Sequence, residues 1–556
     1  MTDANLEWAM SLNADEDDEV GDAPKKPNVG GLLLNLARKS GAKVFLDSGS
    51  GEYYIAPNAD GTQVWRLNST ESERWLTRLW LQSQDNPAPR DLIKTALFNL
   101  GALAEDAESI ALNVRVAWKD GLLWYDLGKE AVCMSPEGSA IVESPPILFK
   151  RFPHQMDQIT PGFPGDFNLI DKYLPVEPGS TESLLLKVWL LSCLSPDGPR
   201  AIMDLAGPEG SGKSTTSRVM KRVLDPSLVP TIRRLKDLRA LQQHLAQTWA
   251  LFADNLDGIG GETSDLLAAA VTGDADFRRK LYTDQEAQIF QYRRVLCLSG
   301  IAHTAERPDL LDRVLLVTLS RINERQDEAT FWDEFDSDLP RIIGGAFELL
   351  SKAVGILPDV SIPRRFRMAD FAKWGYAIAE ASGWGGNKFL AAYEQNIGRQ
   401  KDEAVSASLV AQAVLAFMDD RTEWEGTPTS LKELLDGIAR DSFGIEPTDR
   451  RSGWPQDAPR MSKELFKMGA TLAANQIEVS QPTRGGTRGR LIRLRVIPET
   501  TDTTDTTDTS GVETGVGNGL SASATDTTDA KNQAQSVSSV SSVGKVVTSG
   551  GRRLTI

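Results

Sequence analysis

The 556-residue sequence predicts an α/β protein built on a parallel sheet. Three observations carry this. A short apolar run, AIMDLAG at 201–207, ends at a glycine-rich turn and is followed by a helical pattern. From there to about residue 322 short apolar runs alternate with helix-like stretches, which is the order of strands and crossovers in a parallel layer. The composition, 40% hydrophobic and 25% charged, is that of a globular chain with ample core.

The elements follow in order. Residues 1–29 are acidic and polar and are expected to be disordered. Residues 30–178 mix strand-like stretches (AKVFLDS, GEYYIAP, VAWKDGLLWYDL) with amphipathic patterns at 70–81 and 90–104, predicting a mixed α/β N-terminal domain. Within it, Arg115 and Asp126 are expected to be strand-end surface charges. Residues 179–345 hold the parallel layer and 346–405 read as helices (RMADFAKWGYAIAEA, GNKFLAAYEQNIG). Residues 406–497 carry three helical patterns and then the strand pair QIEVSQ and RLIRLRVI around TRGGTRG, the pattern of a winged helix. The tail, 498–556, is repetitive (TDTTDTTDTS) and too polar to repay the entropy of ordering it.

Charge and composition exclude several classes. No apolar run approaches the ~20 residues that span a bilayer, so no membrane role is expected. The first residues are acidic where a signal peptide would be basic, which predicts a cytoplasmic protein. Three cysteines and three histidines lie far apart in sequence, without the paired spacing of a zinc site or a disulfide framework. The formal charge of −16 argues against nucleic acid, but it is unevenly spread. Residues 1–30 contribute −6 and 498–556 contribute −3, while 450–497 carry +7.

The chemistry centres on Gly207-Pro208-Glu209-Gly210-Ser211-Gly212-Lys213-Ser214, a complete GxxxxGK[ST] between a predicted strand and a predicted helix. Its glycines let successive N–H groups turn toward phosphate oxygens, and the helix opening at Lys213 adds its positive end. Lys213 is expected to neutralise β/γ-phosphate charge, Ser214 to ligate Mg²⁺, and Thr215 to contact the α-phosphate side of ATP. Mg²⁺ also needs an acid at the end of a neighbouring strand, and WALFAD supplies Asp254. The following Asn255 can position water but cannot take its proton, so Asp257 or a group from a neighbouring subunit is the alternative base. Ser299, ending VLCLSG, stands where a polar sensor would meet the γ-phosphate, or caps the strand. In RPDLLDR, Arg313 precedes a sheet strand and reads as a finger for a neighbour's ATP, with an ion pair to Asp309 or Asp312 as the alternative. Residues 277–294 read as a basic hairpin in which Arg278, Arg279 and Lys280 could grip a phosphate backbone. The wing adds Arg484, Arg488, Arg490, Arg493 and Arg495.

The order GPEGSGKST, WALFADNLDGI, FRRKLYTDQE, LCLSGI and RPDLLDR resembles the AAA+ helicases of bacterial phages and integrated mobile elements, including the MCM-like helicases of cassette-chromosome elements. The resemblance is good over about 180–325, looser to the winged helix and faint before it. It implies an AAA+ P-loop ATPase core with a helical lid, acting as a ring, a homo-hexamer, that hydrolyses ATP with Mg²⁺ and moves on single-stranded or forked DNA. Carried over by position, Lys213, Ser214 and Asp254 hold the nucleotide, Arg313 is the finger, and Arg367 of RFRMADF is the second sensor, with Arg365 as competitor. An Asn after the Asp254 position is usual in that family. Any primase or initiator would be a separate chain. Two other functions compete: a DNA-dependent ATPase switch that does not unwind (a loader, regulator or defence component), and a small-molecule P-loop kinase.

Overall fold

The structure, a computed structural model, describes residues 29–57, 63–84, 86–196, 198–273, 275–279, 287–291, 293–305, 307–322, 326–362, 366–481 and 491–497. The chain divides into two compact units, Met1–Leu112 and Asn113–Ile556.

In the first unit, α1 (Val29–Lys39) precedes a three-stranded antiparallel sheet of β1 (Lys43–Leu46), β2 (Tyr53–Ala56) and β3 (Trp65–Arg66), then α2 (Thr70–Ser83) and α3 (Arg90–Glu105). The Ser69 side chain accepts the Ser72 N–H and so starts α2. Ile93, Ala96, Leu97 and Leu100 recur at helical spacing on α3 and bury against Leu33, Ile55 and Trp75.

The second unit opens with an antiparallel meander: β4 (Val116–Lys119), β5 (Leu122–Asp126), β6 (Ala131–Ser135) and β7 (Gly138–Val142). The units part at residue 112 rather than near the expected 178, because the meander is buried on both faces. Leu123, Tyr125, Val132 and Met134 belong to one core with the parallel layer, and Trp124 and Cys133 pack beneath Ile147 and Phe149.

Arg115 and Asp126 are not surface charges. Arg115 is 2% and Asp126 5% exposed. Arg115 Nε donates to Asp225 Oδ1 at 2.9 Å, and its Nη1 and Nη2 donate to the carbonyls of Asp126 and Met156 at 3.1 and 2.8 Å. Lys221 Nζ donates to Asp225 Oδ2 at 2.9 Å, to Thr248 Oγ1 and to the Ala250 carbonyl. Burial by itself would raise the Asp225 pKa; Lys221 and Arg115 overcome it and hold the carboxyl below its ordinary value. The sign follows: this stability is complete above the unfolded carboxylate pKa of ~3.9 and is lost as pH falls below it. Arg115→Ala strands part of a buried charge, and denaturant unfolding of the full chain is expected to show a loss of about 3 kcal/mol.

A 3₁₀ turn (Phe167–Tyr173) leads to α4 (Thr181–Ser192) and then to the layer itself: β8 (Ile202–Ala206), α5 (Lys213–Leu224), α6 (Leu238–Gln247), β9 (Ala250–Leu256), α7 (Gly261–Thr272), the hairpin β10 (Ala275–Arg279) and β11 (Ala287–Gln291), β12 (Val295–Gly300), α8 (Pro308–Leu311) and β13 (Val314–Thr318). The four strands pair in parallel in the order β13-β8-β12-β9. Their near-continuous burial explains the short apolar runs of the sequence.

Helix α9 (Glu328–Ile356) runs unbroken through the expected domain boundary at 345. α10 (Ala369–Ala381) and α11 (Gly386–Ser406) follow, locked by the rings of Phe371, Phe389 and Tyr393. α11 also covers the open edge of β13. Asn396 Oδ1 accepts the Leu316 N–H at 3.0 Å, its Nδ2 donates to the Leu316 carbonyl at 2.6 Å, and Gln400 Nε2 donates to the Val314 carbonyl.

A separate core holds the last elements: α12 (Leu409–Met418), β14 (Glu423–Gly426), α13 (Pro428–Phe443), α14 (Ala458–Lys467), α15 (Gly469–Ala474), β15 (Ile477–Ser480) and β16 (Ile492–Val496). The sheet is three-stranded, β14-β16-β15, because EWEG joins the expected strand pair. Among the described residues no helix is long and apolar enough to cross a membrane.

Candidate nucleotide-binding site

The parallel register sets the site. β8, β9 and β12 all deliver their carboxyl ends to one rim, and the loop 207–212, Asp254 and Ser299 sit on it. Gly207 can only be glycine, since a Cβ there would lie 2.6 Å from the Leu319 carbonyl and 2.7 Å from Ser211 Oγ. Gly212 takes φ 80° to turn the loop into α5, which has no side-chain cap. The first-turn N–H groups at Lys213, Ser214 and Thr215 are thereby directed at the loop. Ser214 is exposed, Thr215 half-buried and Ser211 buried.

Lys213 Nζ donates to the carbonyls of Gly207 and Pro208 at 2.6 and 3.0 Å. Burial lowers its pKa, with Asp254 and Glu209 pulling the other way. Asp254 is 5% exposed. Its Oδ1 accepts from Ser299 Oγ at 2.5 Å and from the Asn255 N–H at 2.9 Å, which leaves Oδ2 without a hydrogen bond among the described residues. Ser299 is therefore a buried partner that orients the acid. Asn255 is exposed at φ 60°, with Asp257 exposed two residues on. Among the described residues no group of three or more His, Cys, Asp or Glu could hold a metal ion. Mg²⁺ asks for less: one or two protein oxygens, with phosphates and water supplying the rest, which a free Oδ2 and the Ser214 hydroxyl can meet.

Other expected residues lie elsewhere. Arg313 immediately precedes β13 and its carbonyl accepts the Ile202 N–H, so it stands at the opposite end of the sheet from Gly207. Its Nη1 donates to the Asp309 carbonyl. Nearby, Arg307 pairs with Asp309 at 3.1 Å and Arg367 with Asp312 at 2.6 Å. Arg367 thus sits beside Arg313, just ahead of α10 rather than opening it. Arg365 lies outside the described residues.

In the hairpin, Arg278 pairs across to Gln288 and Arg279 to Ala287. Its base is tied down by Arg294, which donates to the Leu245 and Ala246 carbonyls ending α6. Lys280 lies outside the described residues, as do Arg484, Arg488 and Arg490. Arg493 donates from Nε and Nη2 to Glu425 Oε2 at 2.9 and 2.6 Å and reaches Glu423 at 3.2 Å, which raises its pKa. Arg495 is exposed but stands opposite Glu423 and Glu478. The outer face of β14-β16-β15 is balanced in charge, not basic. Two histidines far apart in sequence, His154 and His244, line one cavity with Lys221.

Residues 172–403 match the family of the actinomycete integrative conjugative element replication protein, and residues 410–510 match the C-terminal domain of the same RepA. The chain belongs to this replication-protein family. The matched segments take in the whole of this rim, α9, α10, most of α11 and nearly all of the C-terminal core. This is a replication protein of a mobile element. No curated protein matches. Among solved structures, the A-form apo structure of the NrS-1 C-terminal region is 11% identical, covers 85% of this chain and 100% of that one, and has a TM-score of 0.37. A second apo structure of that region, spanning 305–718, is 10% identical with a TM-score of 0.34, covering 85% and 100%.

Proposed function

We propose that this replication protein is an ATP-driven DNA helicase: an AAA+ core on the parallel sheet, a helical lid formed by α10 and α11, and a C-terminal winged helix, assembled as a homo-hexameric ring. The observation that carries the reading is the meeting, on one rim, of the glycine loop with Lys213 and of a buried Asp254 steered by Ser299. Lys213 would leave the loop carbonyls to neutralise the β/γ-phosphates, and the first-turn N–H groups of α5 would hold the phosphate oxygens. Ser214 and Asp254 would hold Mg²⁺, which supplies charge neutralisation at the transferred phosphoryl group. Ser299 would fix the Asp254 rotamer, and Asn255 would orient the attacking water without accepting its proton. Arg313 and Arg367, remote from their own loop, would act on a neighbour's nucleotide. The Arg278 and Arg279 strand would face DNA, with Lys280 and the Arg484, Arg488 and Arg490 turn as further contacts. The balanced wing sheet gives Arg493 no such role.

The test is strand displacement from a forked duplex by the full chain with ATP and Mg²⁺. ATP-dependent release of the labelled strand is expected. Turnover stimulated by single-stranded DNA without release would assign a loader or switch instead.

A further inference from the structure

Between α5 and α6 lies charge that the nucleotide rim does not use. After the buried Asp225 the chain passes outward and returns at Ile232, which bridges Ala253 of β9 in parallel. The Ile232 N–H donates to the Phe252 carbonyl and the Ile232 carbonyl accepts the Asp254 N–H, both at 2.8 Å. Arg233, Arg234, Leu235, Lys236 and Asp237 come next, and Arg239 lies in the first turn of α6. Leu235 is the anchor: it is 6% exposed and its carbonyl accepts from Thr263 Oγ1 at 3.3 Å. Arg233, Arg234, Lys236 and Arg239 are exposed around it.

Other arginines of this unit face carboxylates: Arg218 pairs with Glu328, Arg222 with Asp336, Arg307 with Asp265 and Asp309, and Arg367 with Asp312. Among the described residues no ion pair or side-chain hydrogen bond holds Arg233, Arg234, Lys236 or Arg239. Asp237, the acid within the stretch, is turned to the helix and accepts the N–H groups of Arg239 and Ala240 at 3.0 and 3.1 Å. Four cations within seven residues of an acidic protein repel one another, and an extended polyanion relieves that repulsion. A single phosphate group would need a concave cradle, whereas these side chains are exposed along a loop and the helix turn that follows it. An acidic protein partner would satisfy the charge, but a replication protein meets DNA phosphates first.

We propose that Arg233, Arg234 and Lys236, joined by Arg239, form a DNA phosphate-contact surface on the rim of the sheet, one backbone hydrogen bond from Asp254. The proposal rests on the DNA-linked reading above and adds a contact separate from the hairpin and the wing.

The test uses the full chain and fluorescence anisotropy with a labelled single-stranded oligonucleotide and its duplex, titrated between about 50 and 200 mM salt. One variant is Arg233→Ala/Arg234→Ala/Lys236→Ala; the second, Arg233→Lys/Arg234→Lys, keeps the charge. In the alanine variant affinity is expected to fall at least ~10-fold, and the slope of log K against log salt on the single strand to shrink by about 2, at ~0.7 per lost contact. The lysine variant is expected to keep the wild-type slope. Wild-type affinity and slope in the alanine variant would overturn the proposal and leave the helicase reading standing. Equal loss in the lysine variant would also overturn it, because the charge is intact there. Absence of binding by the wild-type chain to either probe would overturn both. The duplex arm says which form of DNA the surface grips.

Discussion

Lys213→Ala and Asp254→Asn are each expected to lower ATP turnover by at least about 10²-fold, the scale on which one preorganised charge or donor supports a transition state. The two variants remove different things. Lys213 carries the ammonium that would cancel phosphate charge, and its present bonds go to two loop carbonyls at the exposed edge of the site. Its truncation therefore costs little stability. Asp254→Asn keeps an oxygen to accept from Ser299 Oγ and so preserves the buried bond, while the negative charge that Mg²⁺ needs is lost. Phosphate release from ATP, measured alongside thermal unfolding, separates loss of chemistry from loss of fold. Turnover near wild type in either variant would dismiss this rim as the site of hydrolysis.

Arg313→Ala carries the second large effect, a fall of about 10³ to 10⁵ in the assembled protein with nucleotide affinity retained. From its place at the far end of the sheet, Arg313 can serve a nucleotide only across a subunit interface. β13 runs five residues, Val314–Thr318, in parallel with β8. At ~3.3 Å per residue the arginine is roughly 15 Å along the sheet from its own glycine loop. No side chain bridges that. Arg313 is half-buried, and a local ion pair near the surface would matter by only ~0.2 to 1 kcal/mol, which is too small to confuse with a finger. Mixing Arg313→Ala with Lys213→Ala subunits is expected to restore part of the activity, since some interfaces then join an intact loop to an intact finger. No recovery in demonstrably mixed oligomers would count against action in trans.

What was legible in the sequence was local. The glycine loop announces itself through spacing over eight residues, and Asp254 and Ser299 through their places at the ends of apolar strands. Amphipathic periodicity marked α2 and α3 closely. What was hidden depends on partners distant in sequence. Arg115 reads as a surface charge until Asp225, 110 residues on, is placed against it. Asn396 and Gln400 read as polar positions of a helix, but they close the edge of a strand 80 residues earlier. EWEG is too short and too acidic to signal a strand, yet β16 recruits it, and its two glutamates neutralise Arg493, which in sequence counts toward a basic wing. The loop Arg233–Lys236 matches no motif, and its meaning comes from the bridge between Ile232 and Ala253. The boundary at 345 failed for a related reason, since helical periodicity cannot show that one helix serves two layers.

Hydrolysis at this rim is measured most directly as phosphate release from ATP by the full chain, with Mg²⁺ and again with the metal chelated, in the presence of single-stranded DNA. The expected result is turnover that requires Mg²⁺ and disappears in Lys213→Ala. A folded wild-type chain that releases no phosphate under these conditions, or does so equally well without Mg²⁺, would contradict it.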